Sequence, residues 1–184
     1  MAFSAARLGL GKGSGWSDPK AQEVGCRPIP VLLFWGREVA ILEPTLGVMK
    51  LSASARLPRY ITDGAAGLDL YMCADGPVEA RPRAVVLVPT GIAVAIPSGY
   101  VGLVKDRSSL AAKGLHTLAG VIDSDYRGEI KIAMYNATVE PILLRPGDRI
   151  AQMLVLPCPQ VKVVELELLP PSGRGSGGFG STGR

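Results

Sequence analysis

The segment with the clearest chemical potential is the acidic run LAGVIDSDYRG, residues 118–128. Asp123 follows small and apolar residues, which favours a half-dry pocket where its carboxylate can accept a proton from water. Tyr126 adds a flat face that suits a sugar or a base. The alternative is a tight turn in which the aspartates hydrogen-bond the nearby backbone. The residues alone leave both interpretations open.

A basic and hydroxylic segment, KDRSSLA at residues 105–111, is typical of an anion cradle. Ser108 can donate to a phosphate oxygen, Arg107 can neutralise its charge, and a helix start supplies unpaired backbone N–H groups. The alternative is a capped helix with a solvated arginine, and the segment by itself does not separate the two.

Two shorter segments carry weaker indications. GAAGLDL, residues 64–70, combines small residues that permit close backbone approach with the carboxylate of Asp69; a turn leading into a strand is the plainer interpretation. In PGDRIAQ, residues 146–152, we expect Asp148 and Arg149 to form a structural ion pair while Gln152 reaches out from the following strand.

The C-terminal segment, PPSGRGSGGFGSTGR at residues 170–184, is rich in glycine and serine. Its glycines leave the chain free in solution and let its N–H groups close round phosphates on binding, while Phe179 can stack on a base. The alternative is a linker tail, although a linker would not be expected to combine Arg, Phe and Ser-Thr in this way.

The elements that position these segments are predicted to be short strands. β-branched runs bounded by Gly and Pro turn signals recur along the middle of the chain, at 84–88, 92–96, 100–104, 129–135, 141–144 and 150–156. This spacing predicts an all-β, single-domain antiparallel barrel or jelly-roll-like sandwich. One short helix is expected over Ser108 to Lys113, with Gly114 as its stop. The predicted organisation is an N-terminal extension (1–46), the β domain (47–169) and a mobile arm (170–184).

Composition excludes several classes of function. The net charge of +4 favours anionic partners, but no aromatic-basic interleaving indicates nucleic acid. Three separated cysteines and a single histidine argue against a disulfide framework, a His-rich metal site and a His-based triad. No run of residues is long and apolar enough for a membrane helix. We expect a cytoplasmic protein, with a weak indication of an organellar targeting peptide at the N-terminus.

All five segments, in order, resemble the five motifs of the homotrimeric dUTPase family. The resemblance covers residue 48 to the C-terminus, and AGVIDSDYRG together with RGSGGFGSTG is its most specific part. It implies the all-β dUTPase fold and a Mg²⁺-assisted hydrolysis of dUTP to dUMP and diphosphate. That reaction limits uracil in DNA and supplies dUMP for dTMP synthesis.

The resemblance also implies a role for each matching residue. Asp123 would be the general base, Tyr126 would pack under the deoxyribose, and a hairpin from Thr117 to Ile122 would read uracil, with Lys131 nearby. The residues implied in substrate binding are Arg107, Ser108, Ser109, Thr117, Gly120, Val121, Ile122, Tyr126, Lys131, Gln152, Arg174, Phe179, Gly180, Ser181 and Thr182. The last five would come from another subunit's arm in a homotrimer with shared sites. The metal would be held by phosphates and water, with Asp69 near it or bracing the site.

Departures and rivals qualify this assignment. Many members of the family have Pro where this chain has Asp106, and a carboxylate there is electrostatically awkward unless it turns away or pairs with Arg107 or Lys105. A dCTP deaminase-like enzyme of the same fold would need a glutamate where this chain has Ala133, so deamination is disfavoured. A regulator whose dUTP-bound state controls a partner protein is the remaining alternative.

Overall fold

The computed structural model describes residues 32–34, 37–39 and 44–177. The chain divides into two compact units, Met1–Glu43 and Pro44–Arg184. In the first unit, strands Leu32–Phe34 (β1) and Arg37–Val39 (β2) pair in antiparallel fashion. The second unit contains all five segments of interest.

Strands make up nearly all of the regular secondary structure in the described part of the second unit. They are Gly47–Lys50 (β3), Leu68–Tyr71 (β4), Val78–Ala80 (β5), Val85–Ala95 (β6), Tyr100–Lys105 (β7), Leu115–Leu118 (β8), Val121–Ile122 (β9), Glu129–Asn136 (β10), Ile142–Leu144 (β11) and Arg149–Pro157 (β12), with one helix, Ser108–Ala111 (α1). Two four-stranded sheets have the orders β3-β6-β10-β8 and β4-β12-β7-β9, and β5 pairs with β11. Every pairing is antiparallel. The predicted all-β fold with a short helix is confirmed.

Alternating side chains of both sheets form the core. On β10, Ile130, Ile132 and Met134 point inward between more exposed neighbours, and on β12 Ile150 and Met153 are fully buried. Each such side chain contributes about 1.5–3 kcal/mol of burial free energy. The segments at residues 105–111 and 118–128 are therefore attached to a rigid scaffold.

Strand β6 corrects one sequence prediction. Pro89-Thr90-Gly91 was expected to be a turn between two strands, but the chain runs through it as a single eleven-residue strand. The register with β10 shifts at this point, as in a β-bulge. The hydroxyl of Thr90 donates to the Ile130 carbonyl (2.5 Å), and Gly91 has a φ of 64°. A bulge and a turn use the same residue types, so the sequence pattern alone does not distinguish them.

The segment from β8 to β9 corrects a second prediction. The expected hairpin over Thr117 to Ile122 is not formed, because β8 pairs with β10 in one sheet and β9 pairs with β7 in the other. The chain crosses between sheets at Ala119 (φ 58°) and Gly120 (φ 109°). A Cβ on Gly120 would lie 2.7 Å from the Val104 carbonyl oxygen, so glycine is required there.

Helix α1 is shorter than predicted and spans a single turn. The chain continues past it through tight turn bonds, Lys113 N–H to Leu110 and Gly114 N–H to Ala111, and Gly114 adopts a φ of 79°. Within the part of the chain that the structure describes, no helix is long and apolar enough to cross a bilayer.

Candidate active site

Two arginines and one aspartate organise the first cleft. Asp69 on β4 is buried, and its two carboxylate oxygens accept from Arg107 Nε (3.2 Å) and Arg149 Nη1 (3.0 Å). Arg107 also donates to the Arg149 carbonyl (3.2 Å). Because charge-assisted bonds are strong and directional, Asp69 fixes where both guanidinium groups point. The predicted Asp148–Arg149 ion pair is wrong: Arg149 pairs with Asp69, and Asp148 accepts from the Arg145 backbone N–H (2.8 Å).

The phosphate cleft, as we call this first cleft, has a volume of about 190 Å³. It is lined by Ile61, Ala65, Gly67, Asp69, Arg107, Ser108, Arg149 and Gln152. Thus four sequence-predicted residues, Asp69, Arg107, Ser108 and Gln152, meet on one surface, and Ser109 is exposed one residue farther along. A single helical turn still leaves its first backbone N–H groups without intrahelical acceptors. Guanidinium, hydroxyl and N–H donors together suit a phosphate chain.

Gln152 is held in place rather than left free. Its Nε2 donates to the Asp106 carbonyl (2.9 Å), and a Cβ on Gly67 would lie 2.8 Å from its Oε1. The glycine of GAAGLDL is therefore needed for close packing against the Gln152 side chain. The side-chain oxygen of Gln152, not its amide N–H, faces this contact.

Asp106 turns away from the phosphate cleft. Its Oδ1 accepts from the backbone N–H (2.6 Å) and the hydroxyl (2.5 Å) of Thr117, and its Oδ2 lies 3.0 Å from His116 Nδ1. Burial by itself raises the pKa of this carboxyl, but the Thr117 hydrogen bonds and the His116 contact outweigh burial and leave the pKa below its ordinary value of 3.8. Asp106 therefore stays ionised at neutral pH without presenting its charge to a phosphate. Of the two alternatives for Asp106, turning away from the cleft or pairing with Arg107 or Lys105, the structure has the first.

A second cleft, which we call the Asp123 cleft, lies at the other end of β7. It has a volume of about 650 Å³ and is lined by Ser98, Gly99, Tyr100, Val101, Asp123, Ser124, Asp125, Cys158 and Gln160. Asp123 follows β9, whose Ile122 pairs with Gly102. Its side chain is exposed in the single subunit, so the half-dry pocket expected for it is not formed by one chain alone.

The turn after Asp123 is stabilised by its own side chains. Arg127 Nη1 donates to the carbonyls of Ser124 (2.7 Å) and Tyr126 (2.8 Å), and the Tyr126 hydroxyl donates to the Glu129 carbonyl (3.1 Å). Gly128 lies against the phenol end of Tyr126, since a Cβ there would clash with the phenol oxygen. These contacts hold Tyr126 in one orientation with 44% of its surface exposed. An exposed, fixed aromatic face is suited to packing against a ligand.

The remaining predicted residues lie on β8, β9 and β10 and at the crossing between β8 and β9. Gly120 accepts from the Val104 N–H (2.7 Å), and Val121 is largely exposed on β9. Ile122 packs against the core, and Lys131 is exposed on β10 with its Nζ 3.6 Å from Glu129. Both donors of Thr117 are taken by Asp106, so neither is available to a ligand.

The C-terminal arm is described in part. No strand or helix follows Pro157 within residues 158–177. Arg174 is exposed, and its Nε donates to the Gly177 carbonyl (2.7 Å). Phe179, Gly180, Ser181 and Thr182 lie outside the described residues.

Sequence reasoning missed the contacts that join these parts. The interaction of Asp106 with His116 and Thr117 was not anticipated, nor was the placement of the two clefts at opposite ends of β7. A carboxylate directly before the arginine and serines of an anion-binding segment is a usable indication that its side chain has a partner of its own.

The dUTPase family model matches residues 53–183. The chain belongs to the dUTPase family. It is 51% identical over 131 residues to a deoxyuridine 5'-triphosphate nucleotidohydrolase of Anaeromyxobacter sp., covering 70% of this chain and 88% of that one. A Syntrophotalea carbinolica protein of the same name is 46% identical over 142 residues, covering 76% and 97%.

Solved dUTPases share the fold. A mutant dUTPase of Staphylococcus bacteriophage 80alpha with dUpNHpp superposes with a TM-score of 0.71 and 28% identity, covering 76% of this chain and 99% of the phage chain. A mutant dUTPase from phage phi11 of S. aureus, described as coordinating a structural Mg(II) ion, gives a TM-score of 0.64 and 26% identity, covering 69% and 99%. The predicted dUTPase fold is therefore confirmed in this family member.

Replacing Asp69 by Asn should weaken both the fold and the phosphate cleft. The amide cannot accept charge-assisted bonds at both positions, so we expect a loss of about 1–3 kcal/mol in unfolding free energy and a higher KM for dUTP. Urea unfolding and steady-state kinetics measure the two effects. As a control, Glu79→Gln removes the exposed Arg81–Glu79 pair (3.7 Å) and should change stability by less than about 1 kcal/mol. Equal effects of the two substitutions would contradict a bracing role for Asp69.

Proposed function

We propose that this protein is a dUTP diphosphatase that converts dUTP to dUMP and diphosphate by the attack of a water molecule activated by Asp123. The observation that carries the proposal is the family match across residues 53–183, a range that contains Asp123 and every residue of the phosphate cleft. The identity of about half with named nucleotidohydrolases supports the same activity.

The proposed chemistry needs one base and one electrostatic clamp. Asp123 takes a proton from water, and the resulting hydroxide bonds to the α-phosphorus. The bond from that phosphorus to the oxygen bridging to the β-phosphate breaks, and diphosphate leaves. General base catalysis contributes about 10²–10⁴-fold, and the remaining acceleration comes from alignment and charge neutralisation of the phosphates.

The phosphate cleft supplies that clamp. Arg107, fixed by Asp69, would neutralise phosphate charge, while Ser108, Ser109 and Gln152 would add hydrogen bonds. Preorganised donors act without having to reorganise during the reaction. Arg174, Phe179, Gly180, Ser181 and Thr182 of the arm would close over the nucleotide.

The bonding of Asp69 in the phosphate cleft suits a metal that is held by the substrate rather than by the protein. Asp69 is the one carboxylate among the described residues that line it, and both its oxygens already accept from arginines. Direct coordination by Asp69 would sacrifice these bonds, so an outer position fits it better. When bound through the phosphates and water, Mg²⁺ would supply further neutralisation of their charge.

Base and sugar recognition are assigned to the segment between the clefts. The backbone of Thr117, Gly120, Val121 and Ile122 would read the edge of uracil, with Lys131 nearby. The fixed backbone at the sheet crossing favours discrimination between uracil and other bases, because the wrong base would leave buried polar groups unpaired. Tyr126 would lie beneath the deoxyribose.

The proposed assembly is a homotrimer with shared sites, and the two clefts support sharing. They have no lining residue in common. The strand between them, β7, has six residues, which corresponds to roughly 17 Å at about 3.4 Å per residue. The general base, Asp123, must lie within hydrogen-bond distance of the attacking water. The phosphate cleft of a neighbouring subunit can come closer to Asp123 than the cleft of the same chain, which lies at the far end of β7.

The segment after β12 also supports association. Val161, Val163, Leu166, Leu168 and Leu169 are each more than half exposed in the single chain. Isolated apolar residues on a surface are ordinary, but a contiguous exposed run is typical of a buried interface in an oligomer. We assign this segment to contacts with a neighbouring subunit.

The predicted location and domain limits are kept as proposals. Among the described residues, Cys73 and Cys158 are free thiols. Free thiols suit the reducing cytoplasm. We retain residues 47–169 as the catalytic β domain, preceded by an extension and followed by the arm.

Deamination remains the disfavoured alternative. Ala133 lies on β10 opposite Leu118 and Leu87. A methyl group cannot shuttle protons at a base.

UTP should be a poor substrate because the Tyr126 ring would collide with a ribose 2′-hydroxyl. We expect kcat/KM for UTP to be lower than for dUTP by about two orders of magnitude or more. Tyr126→Ala should narrow this gap. Comparable rates for UTP and dUTP in the wild-type enzyme would contradict the sugar-packing role.

One assay tests the function as a whole. Diphosphate release from dUTP, dCTP, dTTP and UTP should be measured side by side, with and without Mg²⁺. Release from dUTP alone supports the proposal. Ammonia release from dCTP would instead favour a deaminase, and the absence of turnover on all four would refute both enzymes.

A further inference from the structure

Asp106 links three parts of the proposed site. Its carboxylate accepts from both donors of Thr117 and lies 3.0 Å from His116 Nδ1, and its carbonyl accepts from Gln152 (2.9 Å). It directly precedes Arg107 in the phosphate cleft. One residue therefore connects β8, β12 and the loop that carries the phosphate donors.

The bonds to Asp106 are charge-assisted and partly buried. Its side chain is 29% exposed, and His116 is 43% exposed. An ionised carboxylate can only accept, so the His116 contact requires the proton to be on Nδ1. Such bonds are shorter and stronger than neutral ones, and here they join a loop to a sheet strand.

Thr117 stands at the start of the sheet crossing. Two residues later Ala119 takes a positive φ, and Gly120 accepts from Val104 N–H (2.7 Å) on the same strand that ends at Lys105. The crossing is thus held at Gly120 by β7 and at Thr117 by Asp106. The pairing of Thr117 and Leu118 with β10 also holds the start of the crossing, and Asp106 adds an attachment to the loop that carries the phosphate donors.

We propose that Asp106 is a positioning residue that fixes the phosphate cleft relative to the β8–β9 crossing and so sets dUTP affinity and uracil selectivity together. This inference rests on the proposed function, which assigns phosphate binding to the phosphate cleft and uracil binding to the β8–β9 crossing. Both tasks depend on sub-ångström placement, and a displacement of about 1 Å can cost about a hundredfold.

Four single variants and one double variant test the inference with the full-length protein. Asp106→Ala removes the side-chain bonds, Thr117→Val removes one of the donated bonds, and Asp106→Asn keeps an acceptor for Thr117 and offers a donor to the other histidine tautomer. Asp75→Ala is the matched control, because Asp75 is exposed in the loop between β4 and β5 and lines neither cleft. KM, kcat and the dUTP-to-dCTP ratio of kcat/KM are measured for each, together with Tm.

We expect Asp106→Ala to raise KM for dUTP by about tenfold to a hundredfold, to lower the dUTP-to-dCTP ratio by a similar factor, and to change kcat less. Asp106→Asn should recover most of both losses. Thr117→Val should also raise KM for dUTP and lower the dUTP-to-dCTP ratio. In the double variant Asp106→Ala/Thr117→Val the effects of the two substitutions should not add, because they remove the same contact.

Two results would overturn the inference. One is an Asp106→Ala enzyme that matches Asp75→Ala in KM and selectivity, even if its Tm falls. The other, which applies also if Asp106→Ala does not fold, is a Thr117→Val enzyme with unchanged KM and selectivity. Failure of the proposed function would be distinguished by the wild-type enzyme, which would then not turn over dUTP.

Discussion

An Asp123→Asn enzyme should bind dUTP and turn it over about 10²–10⁴-fold more slowly than the wild type. The amide keeps the shape of the carboxylate but cannot take a proton from water. Steady-state kinetics give kcat, and titration with the non-hydrolysable dUpNHpp gives the dissociation constant, which should be nearly unchanged.

The same turn provides the control for that experiment. Asp125 is two residues away and lines the same cleft. Because no proton transfer is assigned to it, Asp125→Asn should stay within about threefold of the wild type. The assignment of the base to Asp123 would be wrong if Asp123→Asn turned over at a near-normal rate, or if Asp125→Asn were equally slow.

A mixture of two inactive enzymes should recover activity. Arg107→Ala and Asp123→Asn each remove an essential group from a different cleft, so each alone should be nearly inactive. If one nucleotide uses Arg107 of one subunit and Asp123 of another, random mixed trimers should have about a quarter of their sites intact. Activity is measured after subunit exchange in mild denaturant and dilution, with each variant taken through the same treatment alone as a control.

The outcome of mixing distinguishes a site built within one chain from a site shared between subunits. If both groups act within one chain, every site in a mixed trimer lacks one of them and no activity returns. Truncation of residues 172–184, combined in the same way with Asp123→Asn, asks whether the arm also acts on a neighbouring subunit. A monomeric species that is fully active in size-exclusion fractions would refute sharing altogether.

The fold class could be predicted from sequence because it is expressed locally. β-branched runs with turn residues between them occur in the chain itself, and strands such as β7 and β10 lie where the pattern predicted them. Strand β6 was divided in two because Pro89-Thr90-Gly91 has the residue types of both a turn and a bulge. Only the partner strand, with the shift in register opposite Glu129, decides between them.

The site was predictable in its residue types but not in its connections. Arg107, Asp69 and Gln152 could be proposed because their neighbours form recognisable motifs, and the structure places all three along one cleft. Their mutual contacts join residues up to 80 positions apart, as for Arg149 and Asp69, and no periodicity within one segment encodes such pairings. The same holds for Asp106 and Thr117, whose bonds depend on how β7 and β8 lie in space.

Strand β7 has a consequence for how this protein can change over time. Its length sets the separation between the Asp123 cleft and the phosphate cleft, and in a threefold assembly the same separation recurs at every site. An insertion of two residues would keep the inward and outward alternation of the strand but displace one cleft by about 7 Å relative to the other. In the proposed trimer with shared sites, loops at the tips of the sheets could vary in length one at a time, whereas the length of β7 could change only if the subunit interface were rebuilt with it.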